Sequence, residues 1–177
     1  MKKYILTGNT KQFSGKTLYQ IESLIDFSII KKGDLGGWIE KEENLSQQGD
    51  AWVYGDAWVC DDAWVHGNAR VHGNARVYGN AQVHGNARVH DNAQVYGNAR
   101  VCDDADVIWI SHIGSRFGTT TIFKNKSGGL NISCGCFFGT FEEFEKQVAE
   151  THGDNKFAKE YQALIELIKI HFELEEK

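Results

Sequence analysis

The sequence contains no proline, a single methionine and only four cysteines among its 177 residues. Without proline its turns must come from other residues, glycine first, and there are 19 glycines. Cys60, Cys102, Cys134 and Cys136 follow no secretory start, because "MKKYILTGNT" has two lysines and then too few apolar residues for a signal peptide. The cysteines therefore read as reduced thiols rather than a disulfide framework. No apolar run approaches the ~18 residues of a membrane span. Basic charge is not in excess: the net charge is −5, and residues 51–110 carry four basic against seven acidic residues. That argues against a nucleic-acid polymer as partner. Together these absences predict a soluble, cytoplasmic protein, bound to no membrane.

What the sequence has is a count of six. The stretch "GNARVHGNARVYGNAQVHGNARV", residues 67–89, is part of an A-x-V-x-G-N repeat running from Ala51 to Asp104 and starting a further copy at Ala105. "IEKEEN" (39–44) and "LSQQGD" (45–50) read as two degenerate copies in front, for twelve hexads in all. In A-x-V-x the Ala and Val side chains share one face of a short strand. Gly-Asn is turn chemistry, since glycine takes positive φ freely and asparagine tolerates it. Three strands and three corners close a triangular coil of 18 residues, and successive coils stack ~4.8 Å apart. The prediction is a mainly β protein with a parallel β-helix of about four coils and a Val/Ala interior. The regularity of the Val column excludes a disordered Gly/Asn tract. The repeat resembles the hexapeptide-repeat left-handed β-helix, and that resemblance implies the hand.

The outward positions form ladders with the same period. Trp52, Trp58 and Trp64 fall in one coil as a belt, with Arg70 and Arg76 one coil above the first two, placed for cation–π stacking. The belt is a candidate homo-oligomer interface, with packing beneath residues 1–38 as the alternative. His66, His84 and Cys102 share another column. Three ligands in a straight ladder converge poorly, so no metal is expected there. The "CDDA" copies at Cys60 and Cys102 place Asp where Gly-Asn stands elsewhere, which reads as corner chemistry rather than a calcium site.

Residues 1–38 are predicted as an N-terminal β cap, with "KYILT" and "KTLYQI" as strands around "QFSG". Residues 39–108 are the repeat. Residues 109–177 are predicted as a small α+β domain: strands in "VIWISHIG", "TTTIFK" and "LNISCGCFF", then a helix opened by a capping box at Thr140–Glu143 and ended at Gly153, then a second helix. Cys134 and Cys136 are expected on one face of a strand as small buried residues, and His152 as part of the helix–helix turn. His112, Ser115, Arg116, Thr119, Thr120 and Thr121 form the candidate ligand site: "HIGSRFGTTT" offers a glycine-flanked loop, hydroxyls and one arginine, a set suited to phosphate or carboxylate. An ordinary hairpin with solvated threonines is the plain alternative.

"GDLGGWIEKEENLS" followed by hexads, and "ISHIGSR…TTTIF…SCGCFFGTFEEF…THGDNKFAKEY", resemble phage and prophage hexapeptide-repeat proteins of bacteria with a small C-terminal α+β domain. The resemblance implies a genetic setting rather than an activity. In that setting the expected function is a non-catalytic phage-encoded binding protein. It would be a homo-oligomer, most simply a trimer, that engages a host protein or sequesters a small anionic ligand such as a nucleotide signal of host immunity. The alternative is a hexapeptide-repeat acyltransferase. Such enzymes carry a loop extruded from a coil and a histidine as general base, whereas residues 51–110 contain no insertion and no histidine that stands apart from its ladder. No cofactor is expected.

Overall fold

In the computed structural model, which describes residues 1–174, the chain forms an N-terminal antiparallel sheet, a β-solenoid of about four turns and a C-terminal sheet with two helices. Strands β1 (Tyr4–Phe13) and β2 (Lys16–Ser23) make a hairpin through Ser14 and Gly15, both at positive φ. Strand β3 (Leu35–Ile39) pairs antiparallel with β2 and continues into the solenoid.

The solenoid consists of nine two-residue strands: β4 (Trp52–Val53), β5 (Trp58–Val59), β6 (Trp64–Val65), β7 (Arg70–Val71), β8 (Arg76–Val77), β9 (Gln82–Val83), β10 (Arg88–Val89), β11 (Gln94–Val95) and β12 (Arg100–Val101). They stack as three parallel faces, β4-β7-β10, β5-β8-β11 and β6-β9-β12, each strand in register with the one 18 residues on. Val53 to Val101 and Ala51 to Ala99 form the interior, each no more than 1% exposed. Glycines at the corners take positive φ, and Gly49, Gly67, Gly73 and Gly85 lie so close to the backbone of the next coil that a Cβ would collide with it or press hard on it. Asn68–Asn86 and Asn74–Asn92 bond amide to amide up the corners.

The ends depart from the strict count. Ile39 pairs with Val59 and Leu45 bridges Val65, 20 residues on rather than 18. The two leading copies are therefore both offset by two residues, and the 18-residue register begins only after Leu45, with Trp52 on Arg70; a short 3-10 turn at Glu42–Asn44 stands between the two offset rungs. Asn44 holds that turn by donating to the carbonyls of Asp61 and Ala63. The base is closed by Tyr4, whose hydroxyl donates to the carbonyls of Glu42 and Leu45, and by Lys3, whose Nζ donates to those of Gly49 and Ala51. At the other end the copy beginning at Ala105 makes no rung. Asp61 does hold a left-handed corner at φ 60°, whereas Asp103 is extended and caps a 3-10 turn, Asp104–Asp106, that leaves Ala105 exposed.

Strands β13 (Val107–Ile113), β14 (Gly118–Lys124), β15 (Leu130–Cys134) and β16 (Phe137–Thr140) form an antiparallel meander. One face covers the top of the solenoid: Gln94 N–H donates to Thr121 Oγ1, Lys126 N–H to the Asn98 carbonyl, and Phe123 joins the solenoid core. The other face packs on helices α1 (Phe141–His152) and α2 (Lys156–His171) through Ile122, Ile132, Phe144, Leu164 and Ile168. The Thr140–Glu143 capping box opens α1, and Asn155 caps α2. Among the described residues no helix is long and apolar enough to cross a membrane, and no buried side-chain nitrogen or oxygen lacks a hydrogen-bond partner.

Candidate functional site

The C-terminal sheet and its helices line an open cavity of about 490 Å³. Alternation along β14 decides which predicted residues reach it. Thr120 faces the helices and lines the cavity; its hydroxyl donates to Cys134 Sγ at 3.1 Å. Thr121, one residue on, faces the solenoid and accepts from Gln94 N–H. Thr119 pairs with the Ser111 hydroxyl across the hairpin at 2.9 Å. His112 sits in a bulge at φ 65°, exposed and outside the cavity lining. Of the six predicted ligand-site residues the structure thus brings Ser115, Arg116 and Thr120 together and turns His112, Thr119 and Thr121 elsewhere.

Much of the remaining wall comes from residues to which the sequence pattern gave another role or none, among them Cys134, Cys136, Phe137, Phe144, His152 and Tyr161. Strand β15 ends at Cys134, and Gly135 turns the chain at φ 62°, so the two thiols do not lie along one strand face as expected. Both nevertheless reach the cavity, where Cys136 is exposed and Arg116 Nη1 approaches its sulfur at 4.0 Å. Tyr161 stacks on His152 at 5.4 Å and meets Phe144 edge-on at 5.7 Å. Burial and the Cys134 contact push the Tyr161 phenol well above its ordinary range, so it stays a neutral hydrogen-bonding group. The hairpin turn is fixed against α2 by Gly114, whose N–H donates to Glu160 at 2.9 Å. A Cβ there would stand 1.9 Å from the Tyr161 hydroxyl. The arrangement is an aromatic slot with the Arg116 guanidinium and the exposed Ser115 in its lining, groups that can hydrogen-bond an anion.

The tryptophan belt is divided. Trp52 is fully buried beneath Tyr4 and Phe27, and Trp58 is covered by Phe13 at 4.3 Å. Only Trp64 keeps an exposed ring, at 41%. Arg76 does stack over Trp58, and also over Phe13, whereas Arg70 reaches the Ser28 hydroxyl. A smaller cavity of about 280 Å³ lies beside Trp58, Arg76 and Tyr78. At its edge Glu40, Cys60 and Asp61 gather three potential metal ligands, but Lys16 points its ammonium among them, contacting Asp61 and lying 3.9 Å from Glu40 and 3.8 Å from Cys60 Sγ. The tethered cation offsets one of the two carboxylate charges and fills the space between the three groups, so a metal ion would have to displace it. The column His66–His84–Cys102 forms as expected, the two rings stacked at 4.8 Å.

The solenoid has relatives. A family described as the YdcK beta-solenoid repeat matches residues 69–85 and 93–105. The repeat is similar to that family. An Escherichia coli (strain K12) protein described as the uncharacterized acetyltransferase YdcK is 36% identical over 62 residues, covering 30% of this chain. The chain spans 19% of that relative's length. The family match falls on the solenoid, while the slot lies in the C-terminal unit beyond the matched repeat.

Proposed function

We propose that the protein is a non-catalytic binding module that takes a small organic anion with a flat body into the C-terminal slot, the solenoid serving as a rigid stalk. The observation that carries this reading is the aromatic cavity with Arg116 at its rim. Its volume lies within the ~300–1,000 Å³ usual for small-molecule sites. Arg116 is the sole arginine of residues 111–177, and it can grip phosphate or carboxylate through two parallel hydrogen bonds. Aromatic faces that stack on a nucleobase would make a nucleotide a natural occupant. The resemblance to phage proteins supports a nucleotide signal of the host, bound in its cytoplasm, as that occupant. A homo-oligomer, most simply a trimer, belongs to the same proposal.

Acetyl transfer is the second reading, favoured by the similarity of the repeat to YdcK. Calorimetry with cyclic mono- and dinucleotides and with acetyl-CoA separates the two. Nucleotide binding weakened about ten- to hundredfold by Arg116→Ala, at unchanged melting temperature, is the expected result. Turnover of acetyl-CoA with a small amine acceptor would replace the first reading by the second. Nucleotide affinity indifferent to Arg116→Ala would remove the slot as the binding site.

A further inference from the structure

The four thiols differ in their surroundings. Cys60 is buried beside Lys16, Cys134 is engaged by Thr120 and Tyr161, and Cys136 is exposed in the slot. Cys102, on the far side of the solenoid top, is partly exposed, and its Sγ lies 3.0 Å from His84 Nε2. The pairing follows from the repeat: residues 84 and 102 occupy one outward slot in successive coils, β9 and β12, whose strands run in register. The imidazole is held in place from below. His84 stacks on His66 at 4.8 Å with 11° between the rings, and His66 stacks on Trp64 at 3.7 Å. This is a nucleophile within hydrogen-bond reach of a base that is itself oriented by a third group.

We propose that Cys102 is a nucleophilic thiol with His84 as its general base, forming covalent adducts with soft carbon electrophiles of the α,β-unsaturated carbonyl class. As the S–C bond forms at the β carbon, Nε2 takes the thiol proton. The C=C electron pair shifts toward the carbonyl, and the α carbon then takes the proton from Nε2, so atoms and electrons balance with no further reactant. The charged and titratable groups around the pair are His66 below, Arg100 on the same face, and Asp106, which is tied to Lys124. Burial, helped by Arg100 and opposed by Asp106, holds His84 below the ordinary histidine range, so its ring is neutral and able to accept a proton at pH 7. The Cys102 N–H is occupied by Asp106 Oδ2 at 2.8 Å. It is therefore not free to stabilise an oxyanion, which favours adduct formation over acyl-transfer catalysis.

The test is alkylation of the full chain by acrylamide, followed cysteine by cysteine by peptide mass spectrometry at pH 7 and pH 9.5. Cys136, the exposed thiol, is the internal reference. At pH 7 Cys102 should react at least tenfold faster than Cys136. His84→Asn should slow Cys102 at least tenfold at pH 7 and less than threefold at pH 9.5, where hydroxide can take the proton in place of the imidazole. Cys136 should not change. His84→Tyr keeps a residue the same slot already carries at Tyr78 and Tyr96, and serves if the Asn variant melts early. Wild-type Cys102 reacting no faster than Cys136 at pH 7 overturns the proposal without any variant. So does an equal loss at both pH values, which would mark His84 as structural.

Discussion

Val77 is the sharpest test of the solenoid interior. It is fully buried, paired in register with Val59 below and Val95 above. Val77→Ala removes two carbons at ~0.8 kcal/mol each, and a cavity term brings the loss to about 2–3 kcal/mol because neighbouring coils are pinned by their own hydrogen bonds. Val77→Asp removes the same packing and adds a carboxylate with no partner among the surrounding Val and Ala side chains. That adds several kcal/mol, whether as desolvation or as an enforced proton. The total approaches the ~5–15 kcal/mol that holds a typical domain together. Its neighbour Arg76 faces outward, and Arg76→Ala loses only cation–π contacts to Phe13 and Trp58, about 1 kcal/mol. Urea unfolding followed by circular dichroism should rank the variants Arg76→Ala, Val77→Ala, Val77→Asp in increasing damage, the last yielding little folded protein. Equal midpoints for Arg76→Ala and Val77→Asp would refute the inward-outward assignment on which the architecture rests.

Three further outcomes are expected. His66, His72 and His84 are all held below the ordinary histidine range by burial, with further lowering from His84, His90 and Arg100 respectively, so the unfolded chain binds protons more readily. The stability they contribute is present above about pH 6.5 and lost as pH falls below it; a melting temperature that rises from pH 7 to pH 5 would contradict this. Gly114→Ala should lower the melting temperature of the C-terminal unit and abolish ligand binding in the slot, because a Cβ would collide with Tyr161 from a backbone at φ 70°; an unaltered melt would mean that α2 does not hold the turn. Light scattering should give three times the 19.9 kDa chain mass; a monomer in the wild type at micromolar concentration removes the trimer.

The amino-acid order alone set the solenoid from Ala51 to Val101, because each hexad is a local rule: period two sets the strand, Gly-Asn sets the corner, and repetition sets the pairing partner. It also determined both helices, whose caps at Thr140 and Asn155 are chemistry within a few residues. The capture of Trp52 and Trp58 by the N-terminal hairpin was decided only in three dimensions, since an outward slot says nothing about what later covers it. The two-residue offset at Ile39 and Leu45 was likewise invisible, because the chain returns to the 18-residue register only between Ser46 and Trp52, inside a segment that keeps the length of a hexad. At the other end, whether an Asp holds a corner, as Asp61 does, or ends the solenoid, as Asp103 does, depends on the sheet that follows. The slot was half legible. Arg116 stands out by its isolation, but period two on β14 splits Thr120 from Thr121, and the face turned to the helices becomes known only once the sheet is docked on the solenoid top. Tyr161 and His152 join Arg116 because α1 and α2 fold back over that face, a contact that no local pattern in the chain encodes.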